Sequence, residues 1–64
     1  MTPGEGDPGE VYFELTTIGR SVKVTAIDAA TGTEVSVIAP AGASQADLQR
    51  LALQKLRARL NSSG

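Results

Sequence analysis

Apolar and polar residues alternate from Val11 to Ala39, and from Gln45 onward the apolar residues recur at a helical spacing instead. The alternating part divides into three runs rich in Val, Ile and Thr, the residue types that suit a pleated, half-buried surface. In the first run Val11, Phe13 and Leu15 share one face and Tyr12, Glu14, Thr16 and Ile18 the other. The second sets Val22, Val24 and Ala26 against Lys23, Thr25 and Ile27. The third sets Val35, Val37 and Ala39 against Glu34, Ser36 and Ile38.

The connections decide whether these faces agree. A two-residue loop at Gly19 and Arg20, with the glycine at a position needing positive φ, pairs Ile18 with Ser21 and so Leu15 with Val24 and Phe13 with Ala26. A four-residue loop from Ala29 to Gly32, with Asp28 bonding turn amides and Gly32 left-handed, pairs Ala26 with Val35 and Val24 with Val37. Both turns place the same side chains on one apolar face. A slip of one residue in either would expose a whole strand's apolar set, so the pattern predicts a three-stranded antiparallel meander in a single register.

Pro40 closes the third run, and Ala41, Gly42 and Ala43 form a short link. Ser44 stands three residues before Asp47, the spacing of a capping box, and opens a helix expected from Gln45 to Leu60. Leu48, Ala52 and Leu56 stack along it, flanked by Leu51 on one side and by Leu53 and Leu60 on the other. The fold expected is therefore α+β: a β-β-β-α unit over residues 10–60 with the helix on one sheet face. Residues 1–9 are rich in Pro, Gly and carboxylates and are expected to form a solvated tail, as are residues 61–64.

Composition narrows the function. In 64 residues there is no His, Cys or Trp, one Tyr and one Phe, which removes the usual proton shuttles, thiol nucleophiles and transition-metal ligands. The expectation is a protein that is not an enzyme and needs no cofactor or metal. There are six Lys and Arg against seven Asp and Glu, a net charge of −1. No apolar run approaches the roughly 18 residues of a membrane span, and the acidic beginning is unlike a signal peptide, so a cytoplasmic protein without membrane association is expected.

The run GRSVKVTAIDAATGTEVSVIAPAGAS, preceded by VYFELTTI and followed by the Leu- and Arg-rich helix, resembles a family of short, uncharacterised alphaproteobacterial proteins of unknown function. The resemblance spans the predicted folding unit, and IDAATGTEVS is its most specific stretch. It implies no activity, ligand or site residue.

Four features could carry function, each with a plain structural rival. Asp28, Thr31 and Gly32 could hold a small polar ligand or simply build a hairpin loop; Gly42 and Ser44 could hold an anion or simply cap a helix. Arg50, Lys55, Arg57 and Arg59 form a candidate basic patch, or a solvated face matched to the helix dipole. Tyr12, Ile18, Ile27 and Ile38 face away from the helix and, with Leu53 and Leu60 on the helix flank, are candidates for contact with another protein chain. Apolar residues on both sheet faces and a helical arc of roughly 200°, wider than one sheet covers, favour a homo-oligomer, a dimer first. The ranking is a self-associating interaction module, then a nucleic-acid-binding module, then an enzyme. Nucleic acid is disfavoured by the acidic balance and by the lack of a lysine pair at the helix start.

Overall fold

The structure is a computed structural model and describes residues 10–62. Three strands, β1 (Val11–Ile18), β2 (Ser21–Asp28) and β3 (Glu34–Pro40), form an antiparallel sheet in the order β1-β2-β3 and are followed by one helix, α1 (Gln45–Ser62). The registers are those the turns imply. Ile18 pairs with Ser21, Leu15 with Val24 and Phe13 with Ala26, while Ala26 pairs with Val35 and Val24 with Val37.

Each turn rests on one glycine in the left-handed region. Gly19 has φ 58° and Arg20 a negative φ, a combination that fits a type II′ hairpin. Gly32, at φ 76°, closes the second loop, where its N–H donates to the Asp28 carbonyl at 2.8 Å and the Asp28 N–H donates to the Thr33 carbonyl at 2.8 Å. Inside that loop the Asp28 carboxylate accepts from the Thr31 N–H at 2.9 Å and the Thr31 hydroxyl at 2.7 Å.

Hairpin geometry also settles which backbone groups point outward. A two-residue loop closes on a hydrogen-bonded pair, so the even residues of β1 bond to β2 and the odd ones, Val11, Phe13, Leu15 and Thr17, turn their N–H and C=O to the free edge. The Glu10 carbonyl, which accepts from the Ala29 N–H at 3.0 Å, obeys the same parity. Carried across the sheet, the alternation sends the even residues of β3 outward. Pro40 is one of these: it lies inside the strand, and the donor it lacks belongs to the free edge rather than to the ladder.

The start of α1 is capped in part. The Leu48 N–H donates to the Ser44 carbonyl at 3.0 Å and the Asp47 N–H reaches the Ser44 hydroxyl at a long 3.4 Å, while the Asp47 carboxylate turns to Arg50 at 3.3 Å. The helix ends later than Leu60. Asn61 and Ser62, expected in the terminal tail, are helical because backbone bonding continues half a turn beyond the last apolar residue, and the Ser62 hydroxyl donates to the Arg59 carbonyl at 3.0 Å. The expected tail at residues 1–9 and the final two residues lie outside the described residues.

The core consists of Val24, Ala26 and Val35 from the sheet and Leu48, Ala52 and Leu56 from the helix. A helix about 10 Å across covers two strands spaced about 4.8 Å apart, and α1 packs on β2 and β3. The four-residue link from β3 fixes that choice. Strand β1 is left at the rim: Phe13 is half-buried against the core, and Leu15, expected in the core, is 38% exposed.

Candidate interaction surface

The outer sheet face, away from α1, carries Tyr12, Ile18, Ile27 and Ile38, but the register keeps them from forming one patch. Tyr12 stands beside Ile27 in one row; Ile38 stands beside Lys23 in another; Ile18 stands beside Ser21 at the end of the sheet. Between them runs the polar row Glu14, Thr25 and Ser36, closed by a 2.9 Å hydrogen bond between the Thr25 and Ser36 hydroxyls. Tyr12, Ile18 and Ile38 are exposed and Ile27 is half-buried. The apolar area of this face is thus divided into two ends by hydrogen-bonded polar side chains.

The helix-side face of β1 was read as core and is so only in its first half: Val11 and Phe13 pack half-buried against the core, whereas Leu15 and Thr17 are exposed. From Glu14 to Ile18 every residue of the strand is exposed, so this half of β1 is held chiefly by its ladder to β2. Lys55 anchors one flank of α1 at the opposite side of the sheet, donating to the Ser36 carbonyl at 2.7 Å. Ser36 is an outward-pointing residue of β3, so Lys55 occupies that strand's free edge. By 100° steps around the helix, Gln49, Leu53 and Leu60 then lie on the flank turned toward β1. They are half-buried, and Leu53 and Leu60 form the helix side of an apolar shelf whose strand side carries the half-buried Phe13 and the exposed Leu15. Leu51 lies on the Lys55 side and is 52% exposed. Sequence reasoning missed the exposure of Leu15. The signal was available in dimensions: one helix cannot span three strands, and a short link binds it to the last two.

The four cations do not converge. Arg50 pairs with Asp47, Lys55 bonds the β3 edge, and Arg57 shares the outward helix face with Arg50 while Arg59 projects about 200° around from it. The loop of Asp28 and Thr31 is fully occupied with itself. The Asp28 carboxylate, 5% exposed, accepts only, so the single Thr31 hydroxyl proton goes to it, and the Thr33 hydroxyl, 2.8 Å away, donates to Thr31. This is the hairpin reading of the motif. Among the described residues no group of three or more acidic, His or Cys side chains could hold a metal ion, and no helix is long and apolar enough to cross a membrane.

Residues 8–63 match the family model described as "Domain of unknown function (DUF6898)". The chain belongs to this family. No curated protein and no solved structure matches it. The DUF6898 match takes in all three strands, both hairpin loops and the whole of α1, so the uncharacterised family suggested by the Gly19–Ser44 run extends over the complete β-β-β-α unit.

Proposed function

We propose that the chain is a small, non-enzymatic, cytoplasmic protein-interaction module that associates with itself. The observation that carries this reading is the shelf beside α1. On the helix side of β1, Leu15 is 38% exposed and Phe13 only half-buried, and the helix flank turned toward them carries Leu53 and Leu60, also half-buried. Incompletely buried apolar surface of this kind is what protein contacts bury. The outer face, with Tyr12 and Ile27 at one end and Ile18 and Ile38 toward the other, offers a second and more broken surface.

Nucleic-acid binding is the weaker reading. Arg50 and Lys55 are engaged within the chain, and the outer sheet face presents both Glu14 and Glu34 along with Lys23. Phosphate contacts also demand a local excess of positive charge, and the net charge is −1. Size-exclusion chromatography with light scattering, at low and high salt and with and without duplex DNA or RNA, separates the two. The module reading predicts a mass above 6.6 kDa that persists in high salt and ignores nucleic acid. Co-elution with nucleic acid that salt abolishes would replace it with the other.

A further inference from the structure

The two edges of the sheet are treated differently. On β3, Lys55 donates to the outward carbonyl of Ser36 and Pro40 removes an outward donor, two devices that discourage a further strand from adding there. On β1 neither device is present among the described residues. Its eight residues, VYFELTTI, contain no Lys, Arg or Pro, and the outward N–H and C=O groups of Val11, Phe13, Leu15 and Thr17 have no strand beside them among the described residues. The same four residues carry the helix-side side chains, so an added strand would satisfy the backbone edge and widen the apolar shelf together.

We infer that β1 pairs antiparallel with β1 of a second copy, around a two-fold axis, to give a six-stranded sheet with both helices on one face. This names the partner and the surface of the self-association proposed above and rests on that reading. The strand is self-complementary in one register. Keeping each copy's apolar face on the helix side requires residues of like parity to oppose one another. With the axis between the two Leu15 residues, Phe13 opposes Thr17, Tyr12 opposes Ile18 and Glu14 opposes Thr16. The ladder then runs from Tyr12 to Ile18 and gains about six backbone hydrogen bonds from the outward groups. A shift of two residues toward the start of the strand places Glu14 directly opposite Glu14 at a non-hydrogen-bonded site, where side chains are closest and like charges repel. Larger shifts, or a shift the other way, shorten the ladder or run it into the Gly19–Arg20 turn. The only charge between Val11 and Ile18 is thereby what selects the register. On the completed sheet the two Leu15 side chains lie side by side, no longer at a rim.

The chain has no cysteine, so single-cysteine variants report geometry without background. Leu15→Cys places two sulfur-bearing residues across the axis with Cα atoms about 5.5 Å apart, inside disulfide range, whereas Thr17→Cys places them about 14 Å apart and outside it. Under mild oxidation at a concentration where the parent associates, Leu15→Cys should form a covalent dimer and Thr17→Cys about a tenth as much or less. Leu15→Lys, which sets like charges face to face on the axis, should weaken association at least about tenfold while circular dichroism stays that of the parent. Equal cross-linking at both positions, or unchanged association of Leu15→Lys, overturns the edge pairing. If Ile27→Lys or Leu53→Lys then yields monomer, self-association stands and only the β1 register falls. A parent that is monomeric at every concentration overturns both.

Discussion

Leu56 and Leu51 lie five residues apart on α1, and the structure gives them opposite weights. Leu56 is 1% exposed among Val24, Ala26 and Ala52, whereas Leu51 is half exposed on the flank beside Lys55. Truncating a fully buried leucine to alanine costs about 2 to 5 kcal/mol, and the upper part of that range applies where surroundings cannot close over the gap. Here two of the five other core residues are already alanines, leaving few side chains to relax inward. We expect Leu56→Ala to lose about 3 kcal/mol or more, comparable to the whole stability such a small domain commonly has, so that it is largely unfolded in water. Leu51→Ala removes a half-exposed side chain without creating a cavity and should cost less than about 1 kcal/mol. Urea titration followed by circular dichroism measures both, at one fixed protein concentration so that association contributes equally. With a slope of about 1 kcal/mol per molar, a midpoint for Leu56→Ala within about 1 M of the parent would refute the assigned core. So would equal losses for the two variants.

Three further outcomes are expected. Gly32→Ala should cost about 1 kcal/mol in the same titration although nothing lies within 4 Å of the added methyl, because the penalty comes from φ 76°; Gly42→Ala, also in open space but without a positive φ, should be close to neutral. Asp28→Ala should lose about 1 to 3 kcal/mol by leaving the Thr31 N–H and hydroxyl without their acceptor, and Asp28→Asn, which keeps one acceptor oxygen, should lose less. Removing the Lys55 ammonium with Lys55→Met should change stability by under about 1 kcal/mol, since the bond is exposed, yet uncover the β3 edge and make the protein associate further, which light scattering would register.

The sheet was legible because its signals are local. Glycines at 19 and 32, two loop lengths and a period-two pattern each constrain the register independently, and the pairs Leu15 with Val24 and Ala26 with Val35 follow from any two of them. The helix stripe of Leu48, Ala52 and Leu56 was legible for the same reason. The placement of the helix across the sheet was not, because it depends on a comparison of widths in three dimensions. Periodicity marks Phe13 and Leu15 as apolar and helix-facing, and only the docking of α1 on β2 and β3 reveals that they stand at the rim. The helix end escaped because Asn61 and Ser62 carry no apolar signal; the outer face looked more continuous than it is because the Thr25 and Ser36 bond lies across strands.

Central to this reading is a second copy that meets the β1 edge and the apolar surface beside α1. Sedimentation velocity from about 10 µM to about 1 mM, in high salt to suppress charge effects, tests it most directly. The account predicts a concentration-dependent species of at least twice the 6.6 kDa chain mass, undiminished by salt. A single 6.6 kDa species across the whole range would contradict it.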